Sequence, residues 1–379
     1  MLLREYRQCT RCVMDTSDPE ITFDEQGQCN HCTEYYERLS KLTYEGGRTD
    51  KELPRLIERI RKAGRRKEYD CVIGMSGGTD SSYVAYMARK LGLRPLAVHL
   101  DNGWNREEAI NNIRNVCSKL DIDYESVVLD WEEFKDLQLA FLRASIVEVE
   151  IPTDVAILGA LHRIADQVGV KYIISGGNYA TEGILPESWF YDPKDARLLR
   201  AIHRRFGKRK LKSFPTFSFR QELYYKLLKG IRLIYLLNHV PYSKKQAVEL
   251  LEKELNWKYY GGKHYESKFT GFAQTYIQHV KFGIDYRKAT YSTQICTGEL
   301  TRVEALELLK SPPFVPDIIN DDITYVCKKL GITAAEFENI MNAQPKTYRD
   351  YPNNRRFLKL MYVIYRLLYA KRYRPRAKS

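Results

Sequence analysis

No stretch of this 379-residue sequence is both long and free of charge. Its most apolar run, Leu223 to Val240, is broken by Lys226, Lys229 and Arg232, whereas a membrane-spanning helix needs about 20 mostly uncharged residues. No transmembrane segment is expected. Arg4 and Glu5 stand where a secretion signal needs its apolar centre, so a cytoplasmic protein is expected. Neither a Ser-His-Asp nor a Cys-His arrangement is visible, and no internal repeat. Acidic residues are scarce in one half only. Residues 1–200 carry 27 Lys and Arg against 33 Asp and Glu, a net −6, while residues 201–379 carry 34 against 15, a net +19. A half this basic either meets an anionic partner or is a solvated face, and charge alone does not choose.

What is present is a sizeable core. Hydrophobic residues make up 44% of the chain and aromatics 12%, which excludes wholesale disorder. The patterning divides into three parts: a cysteine-bearing module at 1–45, an α/β domain at 46–200, and a mostly α-helical, basic extension at 201–379 that would bind substrate or partner. In the middle part, strands are expected at 70–75, 94–100, 124–129 and 170–175. Helical stretches at 81–91, 106–120, 131–145 and 153–168 alternate with them. That alternation predicts βαβ units and a parallel, doubly wound sheet covered on both faces. It stops after Gly176.

Four of the eight cysteines lie in the first 32 residues as Cys9-x2-Cys12 and Cys29-x2-Cys32. The spacing is that of a four-cysteine zinc ribbon, in which two knuckles close a tetrahedron of thiolates. Four thiolates leave no open coordination position, so a structural zinc is expected, whose loss unfolds the module more than it alters chemistry elsewhere. His31 reads as a bystander. Cys71, Cys117, Cys296 and Cys327 are scattered and read as core residues.

Ser76-Gly77-Gly78-Thr79-Asp80-Ser81-Ser82 follows a strand and opens a helix, where backbone N–H groups and the helix N-terminus hold phosphate. It is neither a Walker A loop nor a dinucleotide fingerprint. It resembles the PP-loop signature of ATP pyrophosphatases, which cleave ATP between its α- and β-phosphates and adenylate a carbonyl oxygen. His99-Leu100-Asp101-Asn102-Gly103 is similar to that superfamily's nucleoside-side loop, and Ser175-Gly176-Gly177-Asn178 to its second nucleotide loop. Together with the CxxC…CxxC module and the segments 259–269 and 281–289, the chain resembles the N-acetyl sugar amidotransferases. Members of that family make acetamidino sugars for lipopolysaccharide, O-antigen and flagellin glycans.

The resemblance implies an ATP-dependent, AMP- and pyrophosphate-forming carbon–nitrogen ligase. It would adenylate the N-acetyl carbonyl of a nucleotide-linked sugar, and ammonia would displace AMP. No glutaminase is encoded, so a separate glutaminase of the imidazole-glycerol-phosphate-synthase type, with its barrel partner, is expected to supply ammonia. On this reading no nucleic acid is expected, and the cofactors are ATP, Mg²⁺ and structural zinc. Ser76, Gly77, Gly78, Thr79, Ser81 and Ser82 fall to pyrophosphate. Asp80 either holds Mg²⁺ or complements the helix dipole. His99, Asp101, Asn102, Gly176 and Asn178 fall to the nucleotide, Asp101, Asn102 and Asn178 being equally suited to turns. Lys263, His264, Glu266 and Lys268 form the substrate guess. Lys263, Arg287 and Lys288 are candidates to clamp phosphates in catalysis. The alternative is a tRNA-modifying PP-loop enzyme of thiolase type, which a zinc ribbon and a basic half also suit.

Overall fold

The structure, a computed structural model, describes residues 5–42, 49–260 and 266–370. Five strands, β1 (Cys71–Gly74), β2 (Pro95–Asp101), β3 (Asp123–Val128), β4 (Tyr172–Ser175) and β5 (Arg232–Tyr235), form one sheet. Their order is β3-β2-β1-β4-β5 and every pairing is parallel. In β1, Val72 sits opposite Leu96 and Ile173, and Ile73 opposite Ala97 and Ile174. Successive side chains point to opposite faces, so Val72 and Ile173 join Leu161 and Ile164 on one side. Ile73 and Ile174 join Ile60, Val84 and Leu251 on the other. Both faces are covered, which is why these strands read as unbroken apolar runs.

The four expected strands and their helices are found, with ends displaced by a residue or two. The helices Thr79–Lys90, Glu107–Leu120, Trp131–Ala144 and Ile151–Gln167 make the crossovers. The alternation does not stop after Gly176, however. β5 arrives from within the region expected to be helical and adds a fifth strand, carrying the sheet past residue 200. It is a four-residue edge strand whose Arg232 and Tyr235 are exposed, so no buried run announces it. Among the described residues from 236 to 370, the regular elements are helices joined by loops.

The N-terminal module is packed rather than appended. Its cysteines share a cluster with Tyr35, Ile184, Trp189, Ile284, Ala289 and Cys296. Ser292 Oγ accepts from the Val13 N–H at 3.2 Å, and the Arg302 guanidinium donates to the carbonyls of Cys9 and Cys12, both at 3.0 Å. Part of the charge asymmetry is settled internally. Lys288 pairs with Asp15, Lys229 with Asp166, and Arg355 with Glu187, each joining the basic half to the acidic one. Among the described residues, no helix is long and apolar enough to cross a membrane.

Candidate active site and metal centre

β1 lies between β2 and β4, so the chain reverses its winding there, and the crevice beyond these strand ends is where an open α/β sheet binds ligands. A cavity of about 650 Å³ occupies it. The loop after β1 forms one end. Gly77 has φ +83°, and a Cβ there would stand 2.3 Å from the Ala109 carbonyl oxygen, so only glycine fits. Trp257 Nε1 donates to the Gly77 carbonyl at 2.9 Å and pins the turn. Gly78 caps the helix Thr79–Lys90 without any side-chain cap, leaving the first N–H groups aimed at the cavity. Ser76 Oγ and Ser81 Oγ lie 3.1 Å apart, and fully buried Ser82 leaves its Oγ without a partner among the described residues. Gly176 presses on the loop from β4, where a Cβ would meet the Ser81 nitrogen at 2.9 Å.

Two carboxylates face this loop. Asp80 accepts from the Tyr242 hydroxyl, and Glu266 Oε1 lies 3.5 Å from Ser76 Oγ. Burial, with the Asp80 charge adding to it, pushes the Glu266 carboxyl up. A pair of carboxylates that oppose each other's ionisation beside a phosphate cradle suits a divalent cation. Asp80 and Glu266 could hold Mg²⁺ there, and Glu266 lies at the phosphate end of the cavity. Lys244 lines the same region, and its charge eases the ionisation of Glu266.

The far end is different. Glu148, Glu150 and Asp154, around the start of the helix Ile151–Gln167, line it together with Gln278 and Tyr286. Burial pushes each of the three carboxyls up to about 7. For Asp154 burial is the sole cause, against an ordinary value of 3.8. A carboxyl raised by the fold contributes stability that is complete below about pH 4 and is lost as pH rises through about 7. Asp154→Asn should therefore melt higher than the parent at pH 8, by on the order of 2–4 °C, and equal to it near pH 4. Calorimetry at the two pH values checks this, and a lower Tm at pH 8 would refute it.

The other expected site residues are scattered. His99 is buried, its Nδ1 donating to the Met75 carbonyl at 2.9 Å and its Nε2 accepting from Asn105 at 3.0 Å, and burial pushes its pKa down. It lines the cavity as a neutral ring. Asn102 also lines it, with Oδ1 accepting from the Trp104 N–H at 3.1 Å. Asp101 accepts from the Gly103 N–H at 2.8 Å and holds the turn, and Asn178 caps the short helix Tyr179–Glu182. The structure does not bring Arg287, Lys288 or Lys268 to the cavity. Arg287 is bound to Asp285 at 2.7 Å and to the carbonyls of Leu308 and Ser311. Lys288 is taken by buried Asp15, and Lys268 lies over the Tyr325 ring at 4.5 Å. Lys263 and His264 fall outside the described residues. The carboxyls at 148–154 and Lys244 escaped the sequence reading, for they belong to no recognisable motif.

Cys9, Cys12, Cys29 and Cys32 are fully buried with all four Sγ atoms within 4.8 Å of one another. The separations Cys9–Cys32, Cys12–Cys29 and Cys29–Cys32 are 3.9, 3.7 and 3.7 Å. Zinc–sulfur bonds of about 2.3 Å give a tetrahedral edge of about 3.8 Å, so the cluster fits zinc without rearrangement. The backbone N–H groups of Arg11, Cys12 and Cys29 point at Cys9 Sγ at 3.2–3.4 Å, as thiolates require. His31 is held by Asp18 at 2.7 Å, outside the cluster.

Residues 53–139 match a family described as NAD synthase, and residues 266–365 one described as LPS biosynthesis protein WbpG-like, C-terminal domain. An uncharacterized protein of Methanocaldococcus jannaschii is 24% identical over 323 residues, covering 83% of this chain and 96% of that one. A probable mitochondrial tRNA-specific 2-thiouridylase of Caenorhabditis elegans is 30% identical over 125 residues, 29% of this chain and 33% of the other. The NH3-dependent NAD synthetase of Campylobacter jejuni is 17% identical, with 54% of this chain and 83% of that one covered at a TM-score of 0.29. The parallel sheet, the loop at its switch point and the NAD synthase match make this a PP-loop fold of the NAD synthase kind. Onto it is joined a C-terminal region similar to that of the WbpG-like lipopolysaccharide proteins.

Proposed function

We propose that this protein is an ATP-dependent amidotransferase that converts the N-acetyl group of a nucleotide-linked sugar into an acetamidino group. One observation carries the reading: the phosphate loop and the WbpG-like region share one cavity. Glu266, Thr270, Gln274, Gln278 and Tyr286 of the 266–365 segment line it opposite Ser76–Ser81. A ligand held by that region meets the nucleotide directly. An amide oxygen is a poor leaving group, so it must first attack the α-phosphate of ATP and expel pyrophosphate. The loop N–H groups and Lys244 steady the departing charge, and Mg²⁺ held by Asp80 and Glu266 would neutralise it. Ammonia then adds to the activated carbon and AMP leaves. Catalysis by positioning and charge neutralisation needs no protein nucleophile. A partner glutaminase with its barrel subunit is proposed as the ammonia source, because an adenylated amide in water hydrolyses while it waits.

The reaction moves the acetyl oxygen into AMP. With the carbonyl of a UDP-linked N-acetyl sugar labelled with ¹⁸O, and ATP, Mg²⁺ and ammonium supplied, mass spectrometry should find the label in AMP and an amidine sugar. Unlabelled AMP, or ADP with orthophosphate, would remove the protein from this mechanism. The thiouridylase likeness favours a second reading, a tRNA-modifying enzyme, and tRNA-dependent pyrophosphate release without any sugar would select it.

A further inference from the structure

The loop end of the cavity is built for anions, and the far end is not. Among the described lining residues Lys244 is the one Lys or Arg, and it serves the loop end. At the far end Glu150 is held at both oxygens. Thr270 Oγ1 donates to Oε2 at 2.5 Å and Gln138 Nε2 to Oε1 at 3.5 Å. Gln138 can present its amide nitrogen in only one sense, because its own oxygen accepts from Trp104 Nε1 at 2.7 Å and an indole N–H only donates. Glu148 and Asp154 stand beside it, and the Tyr286 hydroxyl lies in the field of Asp154, Glu182 and Glu148. An independent observation comes from the facing helix. Gln278, 6% exposed, lines this end, gives its Nε2 to the Val147 carbonyl at 3.2 Å, and leaves Oε1 without a donor among the described residues. A buried acceptor left over in this way calls for a donor brought by a ligand. The arrangement suits a flat cation with several N–H donors.

We propose that Glu148, Glu150, Asp154 and Gln278 form a binding site for an organic amidinium cation, and that this site stabilises the positive charge arising when nitrogen replaces oxygen. The inference rests on the amidine-forming reading above. In that step the ammonia lone pair forms the new C–N bond, and the C–O bond breaks with its electron pair going to AMP. O-adenylation releases the amide N–H proton to solvent and leaves a neutral imidate, so the three ammonia hydrogens then all remain on the product, two on the new nitrogen and one on the former amide nitrogen. The product is a stronger base than ammonia and keeps its proton, so a neutral amide becomes a planar cation inside the cavity. Carboxylates that gain little from the substrate and much from the product and the transition state before it contribute to rate rather than to substrate affinity. A neutral amide or thioamide product would draw nothing from such a site.

The test uses acetamidinium chloride, with acetamide at equal concentration as the neutral isostere and NaCl as the ionic control, on the full chain. Acetamidinium should raise the melting temperature and inhibit AMP formation, and acetamide should do neither. Glu150→Gln and Asp154→Asn keep shape while removing charge, and each should weaken acetamidinium by at least tenfold while protection by Mg-ATP persists. Equal effects of the two probes, or variants that bind acetamidinium like the parent, overturn the proposal. Its failure differs from failure of the parent reading. Label transferred into AMP without an acetamidinium effect removes this site alone, whereas acetamidinium binding without label transfer leaves a cation site and removes the reaction.

Discussion

Asp80→Ala should lower AMP formation by on the order of 10²–10³-fold while leaving the fold intact. Asp80 sits in the first turn of the helix that opens at the phosphate loop, and it faces Glu266 across that loop. Losing one acidic side chain at a helix N-terminus forfeits about 0.3–1 kcal/mol of dipole interaction, too little to unfold a chain this size. Losing one of two carboxylates able to hold Mg²⁺ removes charge neutralisation at the moment pyrophosphate departs, where it matters most. Asp80→Asn is the sharper variant, for it can still accept from Tyr242 while giving up the charge. Quenched assays for AMP and pyrophosphate, beside melting curves of both variants, check the expectation. Turnover near the parent level in Asp80→Ala would show that the loop works without this carboxylate.

The second large effect concerns the cysteines. Stripping the metal, or replacing Cys29 by Ser, should remove about one zinc per chain and also abolish most turnover. Structural zinc in small modules contributes about 10–16 kcal/mol of apparent binding energy, which is the folding energy of the module. The sequence alone predicts that such a loss stays local. The packing predicts otherwise, because Trp189, Ile184 and Ala289 touch the cysteine cluster on one side and line the cavity on the other. Trp189 fluorescence, zinc content and AMP formation should fall together on chelation and return together on adding zinc. Full activity in metal-free protein would show that the cavity wall stands unaided.

The parts legible from sequence were those whose chemistry is local. Two Cys-x2-Cys pairs, a glycine-rich loop between strand and helix, and buried apolar strands each announce themselves within a few residues. The partners of several basic residues are remote in the chain. Lys288 meets Asp15 across 273 positions and Arg355 meets Glu187 across 168, pairings that no window along the chain contains. Arg287 was lost to a neighbour two residues away, Asp285, which also lies in the segment that drew attention to it. The carboxyls at 148, 150 and 154 belong to no motif and stand around a helix start, where acidic residues commonly complement the dipole. Only the fold turns them inward. β5 escaped because an edge strand with exposed ends has no face to pattern.

The packing of the cysteine module also sets an order of events during synthesis. Its outer surface is completed by Ser292 and Arg302, while its own residues leave the ribosome well before these two. At about 5–20 residues per second, the interval between the two is roughly a quarter of a minute to a minute. For that time the nascent module carries four thiols and an uncovered apolar face, and early capture of zinc is a local means of quieting both. Cells short of zinc should therefore lose this protein at birth, as aggregate or degraded chain, before any shortage reaches the finished molecule.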